Sequence, residues 1–280
     1  MIQRFFELIT GKTRSGKTFY AEKRANDYVK KGGIVFMYNS GKGLDDYIEI
    51  EILTAPECQI LIEKTKGITE ARYFKINAQL NFFKVHLNDD YRKKLSTDRI
   101  NFLEKNIFEF KDFYTLFIQK DMPKKFKVFG GRLDRTDEIL FFTTIKRYFS
   151  NILLTCDDTK ALFQGGLTQS ATNLFNSINH TGTHLKPPFK NDGCDVILIY
   201  HDFDDIKNDF FVGATHVTMF NDLNTPTFQN FKNEIGRDFA KANHKRLLTD
   251  PTFTRYTIEL RPLDNTKKQV IKNIRFLPKI

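Results

Sequence analysis

Several patterns are missing from this 280-residue sequence, and each absence removes a class of protein. No run of about 18 apolar residues occurs, so the sequence predicts no membrane span. The first residues, MIQRFFELITGK, lack the apolar core and cleavage site of a signal peptide. Cys58, Cys156 and Cys194 form neither a disulfide framework nor a CxxC pair, which favours a reducing, cytoplasmic location. The six histidines lack the spacing of a zinc site.

Acidic residues are outnumbered by basic ones, 34 to 44, which leaves a formal net charge of +10. A basic surface favours nucleic acid or anionic membrane partners through counterion release and long-range attraction. It is also found on lysine-rich soluble proteins that bind neither.

Hydrophobic residues at 40% and charged residues at 28% are ordinary for a globular domain. With this composition and length, we expect one large domain spanning 1–280.

The N-terminal region has the pattern of a β-α-β unit. The apolar run 5–10 predicts a buried strand, and 16–31 has the apolar spacing of a helix that stops at two glycines. A second apolar run, 34–39, predicts another buried strand. A parallel sheet is the expected outcome.

The alternation of strands and helices resumes in the second half of the chain. The fold class we predict is α/β, a parallel-rich sheet flanked by helices, with a C-terminal β-hairpin. Apolar runs predict strands at 126–130, 151–156, 195–200 and 216–220, and helices are predicted at 134–149, 168–180 and 226–243. The segments 252–261 and 268–277 predict a β-hairpin or two edge strands.

The segment of about 55–120 is charged and helical in period, which predicts a helical insertion into the sheet. Such a segment would carry one stripe of apolar side chains, and this stripe would either pack between helices or form a partner-binding face. Apolar side chains follow one another there at steps of three and four, namely Ile100, Leu103, Ile107, Phe110, Phe113, Tyr114 and Phe117.

One short motif has specific chemistry. The string GKTRSGKT fits the phosphate-loop pattern GxxxxGK[ST] without a mismatch, between a predicted strand and a predicted helix. Its two glycines allow a tight turn that points backbone N–H groups at phosphate oxygens. We predict that it holds the phosphates of ATP or GTP, and its residues are Gly11, Lys12, Thr13, Arg14, Ser15, Gly16, Lys17 and Thr18.

Two side chains of this loop have distinct roles in such a site. Lys17 can reach the β- and γ-phosphates as a point charge. The Thr18 hydroxyl can bind Mg²⁺, a hard ion that prefers oxygen ligands. The start of the helix adds the positive end of its dipole.

A phosphate loop needs a partner carboxylate at the end of a buried strand. The string NILLTCDD supplies two, and we predict that Asp157 holds Mg²⁺ while Asp158 positions the attacking water. Paired acids also follow predicted strands at 45–47 and 202–205, but their order along the chain fits this role less well.

The order of these pieces resembles the HerA/FtsK superfamily of ring-forming, DNA-pumping ATPases. Within it, the chain is similar to viral genome-packaging ATPases and to the ATPase domain of Zot-like phage assembly proteins. The resemblance covers roughly 5–54 and 126–245. It rests on the phosphate loop, on NILLTCDD and on DVILIYHDFDDI, in which His201 occupies the family's glutamine position while Asp205 and Ile206 match its pattern.

The resemblance implies an ATP- and Mg²⁺-dependent motor that acts on DNA as a homo-oligomer, expected to be a hexameric ring. His201 would then contact the γ-phosphate, beside catalytic Lys17 and Asp158. Capsid or portal proteins become candidate partners, and host cytoplasm or the virion the expected location. An arginine from the neighbouring subunit would complete the site, and the candidates are Arg132, Arg135, Arg147 and Arg237.

Two other function classes fit parts of the pattern. A small nucleotide-dependent transferase would use the same loop, with the segment 55–120 as a lid. A structural protein could bind ATP only to stabilise its assembly. Basic segments at 124–127 and 241–246 are either contacts to nucleic acid phosphates or solvated surface.

Overall fold

The computed structural model describes the chain in nine main stretches. They are 5–38, 46–69, 81–117, 124–128, 133–149, 152–162, 194–220, 255–262 and 269–276, with isolated positions between 238 and 247. The chain divides into two compact units. Unit 1 comprises Met1–Asp27, Thr155–Asn176 and Asp195–Ile280, and unit 2 comprises Tyr28–Leu154 and Ser177–Cys194.

Strands and helices alternate along the described residues. The strands are β1 (Phe6–Thr10), β2 (Ile34–Tyr38), β3 (Ile48–Ile52), β4 (Phe82–His86), β5 (Phe108–Glu109), β6 (Lys125–Val128), β7 (Ile152–Cys156), β8 (Asp195–Ile199), β9 (His216–Phe220), β10 (Arg255–Pro262) and β11 (Gln269–Phe276). The helices are α1 (Lys17–Lys30), α2 (Ala55–Lys66), α3 (Asp89–Arg92), α4 (Thr97–Lys105), α5 (Phe113–Phe117), α6 (Arg135–Tyr148), α7 (Thr159–Leu162) and α8 (Asn208–Gly213).

In unit 1, β1 lies between two parallel neighbours, β8 and β9. Strand β9 then pairs antiparallel with β10, and β10 pairs antiparallel with β11. All five residues of β1 are buried, as expected for a strand covered on both faces. The predicted N-terminal strand, the strands near 195–200 and 216–220 and the C-terminal hairpin are confirmed.

Unit 2 has its own strand order, β2-β6-β3-β4-β5. The β2–β6 and β6–β3 pairs are parallel, whereas β3–β4 and β4–β5 are antiparallel. Its core is rich in phenylalanine: the ring of Phe36 lies 5.1 Å from that of Phe113, 5.3 Å from that of Phe126 and 4.9 Å from that of Phe149. The predicted helix at 134–149 is confirmed as α6.

The insertion at 55–120 is helical only in part, which corrects the sequence interpretation. It contains α2 to α5, but β4 and β5 extend the sheet of unit 2. The prediction of one continuous helical stripe from Ile100 to Phe117 is wrong. Helix α4 ends at Lys105, and a strand and a 3₁₀ turn lie between it and α5. Phenylalanines spaced by three or four residues can be buried by a short strand and turn as well as by a helix. Their spacing alone therefore does not specify a helix.

Two predictions fall largely outside the described residues. The helix predicted at 168–180 lies wholly outside them, and the helix at 226–243 mostly so, with 238, 241 and 242 helical. None of the described helices is long and apolar enough to cross a bilayer.

A charged side chain lies at the centre of the sheet of unit 1. Glu7, on β1, is completely buried, and its Oε1 accepts hydrogen bonds from Tyr20 (2.9 Å) and from Thr218. Its Oε2 lies 3.9 Å from the Arg24 guanidinium, and Arg255 lies over the Tyr20 ring. Burial raises the pKa of the Glu7 carboxyl, and the arginines and hydrogen bonds only partly oppose this.

This raised pKa makes the stability of the protein depend on pH. Between its ordinary pKa near 4.5 and its raised value, Glu7 binds a proton more tightly in the folded than in the unfolded chain. Its contribution is therefore present at low pH and is lost as the pH rises through the raised pKa.

Glu7→Gln should abolish that part of the pH dependence. Urea unfolding of both proteins from pH 4.5 to 8 should show the free energy of unfolding of the wild type falling relative to that of the variant as the pH rises. Parallel curves for the two proteins would contradict the assignment.

Candidate nucleotide-binding site

The predicted phosphate loop lies between β1, which ends at Thr10, and α1, which begins at Lys17. Gly11 and Gly16 have φ angles of 146° and 98°, and Arg14 has a φ of 64°. Such angles favour glycine, so Arg14 holds a strained backbone. The N–H of Tyr20 donates to the Gly16 carbonyl at 2.9 Å, at the start of the hydrogen bonds of α1. The N–H groups of the loop come before these helical hydrogen bonds in the chain.

Lys17 points its ammonium group back into this loop. The side chain is buried, and Nζ donates to the carbonyls of Gly11 and Lys12, the latter at 2.8 Å. A buried ammonium needs acceptors around it, and here the loop backbone supplies them. The geometry holds a positive charge inside the turn, where a phosphate would be bound.

His201 approaches the same ammonium from the end of β8. Its Nδ1 lies 3.5 Å from Lys17 Nζ. An ammonium can only donate, so a hydrogen bond here would have Nδ1 as its acceptor and would leave the ring proton on Nε2. The exposed ring of His201 then has an N–H with which to donate to a phosphate oxygen.

The two acids predicted from NILLTCDD lie in the turn that joins β7 to α7. The Oδ1 atom of Asp157 accepts a hydrogen bond from the Asp158 N–H at 3.0 Å. Burial raises the pKa of the Asp157 carboxyl, and the Asp158 N–H, His201 and Lys17 oppose this rise. Asp158 is exposed and has a φ of 48°. The two non-glycine residues with positive φ in the described chain, Arg14 and Asp158, both lie in this site.

Parallel strands explain why these residues meet. β1 and β8 pair in parallel register, and the C-terminal end of β7 lies next to β8. The carboxyl ends of parallel strands share one edge of the sheet, where ligands of α/β proteins bind. The structure therefore brings together Lys17, His201 and Asp157, although Lys17 and His201 lie 184 positions apart in the sequence.

The oxygen donors of the site suit Mg²⁺. Thr18 is an exposed residue of the first turn of α1, and Asp157 has a second carboxylate oxygen beside the one bonded to Asp158. The hydroxyl of Ser15, buried in the loop, has no hydrogen-bond partner among the described residues. These are the residues that would hold the ion and the phosphates.

One ion pair at this edge was missed by sequence reasoning. Lys160 Nζ lies 2.9 Å from Asp205 Oδ1, which joins the start of α7 to the 3₁₀ turn after β8. Asp205 was noted only for its match to a family pattern. No local signal in the sequence pairs two residues 45 positions apart.

These features define the candidate phosphate-binding part of the molecule. The chain has the fold of a P-loop NTPase. No protein-family description and no curated protein sequence matches it.

Solved structures similar to this one include a genome packaging NTPase and a VirB4 protein. The genome packaging NTPase B204 of Sulfolobus turreted icosahedral virus 2, in complex with ATP-gammaS, has 10% identity, a TM-score of 0.46 and 97% of each chain covered. VirB4 of Thermoanaerobacter pseudethanolicus has 10% identity and a TM-score of 0.45, with 97% of this chain and 89% of that chain covered. The first belongs to the class named by the sequence resemblance. Likenesses at this level carry no argument about function, which rests on the site itself.

Proposed function

We propose that this protein is an ATP-hydrolysing motor that moves DNA as a ring, in the manner of a viral genome-packaging ATPase. The observation that carries the proposal is the convergence of Lys17, His201 and Asp157 at one edge of the sheet. A buried ammonium inside a glycine turn and a carboxylate at the end of the next strand but one suit phosphoryl transfer.

Each residue has a defined part in hydrolysis. The loop amides and Lys17 hold the β- and γ-phosphates, and His201 donates from Nε2 to a γ-phosphate oxygen. Asp158 orients the attacking water and takes up its proton. Thr18 and Asp157 would hold Mg²⁺, which when bound would supply positive charge against the phosphate oxygens.

The proposed DNA partner rests on the net charge of +10. The lysines of the segment 124–127 are engaged within unit 2, which does not favour them as contacts to DNA. Lys125 is buried and bonded to Asp46, Lys124 donates to the Phe117 carbonyl, and Lys127 lies 3.8 Å from Glu49. The exposed side chains of Lys241 and Lys245 remain candidate contacts to phosphates.

A ring would complete the site with an arginine from a neighbouring subunit. The candidates remain Arg132, Arg135, Arg147 and Arg237. Of these, the structure describes the side chain of Arg147 alone, and its guanidinium lies 5.5 Å from the Tyr148 ring.

The transferase alternative needed the segment 55–120 as a lid. In the described part of that segment, β4 pairs with β3, and Phe83, Phe110 and Phe113 are buried in the aromatic core of unit 2. A lid must open without disrupting a core, so this packing does not favour the transferase.

ATP hydrolysis by the purified protein, with and without double-stranded DNA, tests the proposal. Hydrolysis should rise when DNA is added, and light scattering should show an oligomer with ATP and DNA. A protein that stays monomeric and hydrolyses ATP at the same rate without DNA would overturn the motor. Binding without any hydrolysis would instead indicate a structural nucleotide.

A further inference from the structure

A large aromatic side chain is exposed directly beside the phosphate loop. Phe19 is the third residue of α1, two positions after Lys17, and 73% of its surface is exposed. Among the described residues, no aromatic ring lies against it. Tyr20 and Ala21, which follow it, are buried, so the exposure belongs to one face of the helix.

The helix separates Phe19 from Lys17. At about 100° per residue, the two side chains are about 200° apart around the axis. Lys17 faces inward, towards the Gly11 carbonyl and His201, which marks the terminal-phosphate end of the site. With the terminal phosphate beside Lys17 and His201, the base of the nucleotide would extend away from them, towards the side of α1 on which Phe19 lies.

The place of Phe19 in the first turn of α1 puts it next to the phosphate loop. Side chains on a helix point back towards its N-terminus, so a residue in the first turn covers the loop that precedes it. The buried hydroxyl of Ser15 in that loop has no partner in the described part of the chain, which independently indicates a polar ligand here.

We propose that Phe19 forms the shelf on which the base of the bound nucleotide stacks. This inference rests on the proposed function, because it takes the phosphates to lie in the loop. Every base has a π-face, so an aromatic shelf gives affinity without selecting adenine over guanine. The site should therefore bind ATP and GTP with similar affinity.

The test compares ATP with tripolyphosphate, which fills the phosphate loop but has no base. Calorimetry should show that Phe19→Ala raises the Kd for ATP about tenfold and leaves the Kd for tripolyphosphate unchanged. Phe19→Tyr should retain the wild-type Kd for ATP. Lys23→Ala, an exposed change one turn along the same face, is the matched control and should alter neither Kd.

A spectroscopic signature reports stacking directly. The sequence has no tryptophan, so Phe19→Trp introduces the sole indole. ATP and GTP should quench its fluorescence, whereas tripolyphosphate should not. Equal quenching by ATP, GTP and tripolyphosphate would mean that the fluorescence reports phosphate binding in the loop rather than stacking of a base. That result would overturn the proposed shelf.

The remaining outcomes separate the shelf from the site. If Phe19→Ala weakens ATP and tripolyphosphate equally, or leaves the Kd for ATP unchanged, the shelf is overturned while the phosphate site stands. A variant that binds ATP normally but no longer assembles would show that Phe19 contacts a second copy of the chain, which also overturns the shelf. If the wild type binds neither ligand, the proposed function itself fails.

Discussion

Lys17→Met is expected to lower ATP hydrolysis by about 10²–10³-fold, the usual cost of losing a group that stabilises charge in the transition state. The ammonium lies inside the loop, bonded to the carbonyls of Gly11 and Lys12. Methionine fills a similar volume and retains the apolar stem, so the effect should come from the lost charge. A steady-state assay of phosphate release, with unfolding curves to verify the fold, measures it.

Lys12→Met is the matched control for this prediction. It removes a positive charge from the same loop but leaves the Lys12 carbonyl that accepts from Lys17. A half-exposed charge is screened by solvent, so we expect a change of no more than about fivefold. Equal losses in the two variants would show that only the net charge of the loop matters.

The second large effect is expected for Asp158→Asn, which should lower kcat by about 10²–10⁴-fold while the Kd for ATP changes little. Asparagine has the same shape and, like aspartate, tolerates the left-handed backbone that Asp158 adopts. It cannot take up a proton from water. The expected loss is therefore chemical, and single-turnover kinetics with separate binding measurements would detect it.

Two further variants give this prediction its controls. Asp158→Gly suits the φ of 48° and keeps the N–H that holds Asp157, so its activity should fall as far as that of Asp158→Asn. Asp157→Asn should weaken Mg²⁺-dependent nucleotide binding as well as turnover. An Asp158→Asn enzyme with wild-type kcat would remove Asp158 from the catalytic step and leave Asp157 as the acid of this turn.

The sequence by itself determined the local parts of this protein. Chemistry tied to a short string is readable without tertiary information, since GKTRSGKT specifies its own turn and its position between a strand and a helix. Continuous apolar runs such as 151–156 and 195–200 specify buried strands in the same way. The structure has the strand, the loop and the helix where these patterns predicted them.

Only the tertiary structure decided which distant groups meet. The contact of Lys17 with His201, the burial of Glu7 beneath Thr218 and the ion pair of Lys125 with Asp46 each join residues 79 or more positions apart. Hydrophobic periodicity indicates which side chains are buried but not which segment they pack against. It therefore predicted that the phenylalanines of the insertion belong to one helix. Long-range strand pairing placed β4 and β5 in the sheet instead, because a strand edge satisfies its hydrogen bonds with whichever segment the fold brings beside it.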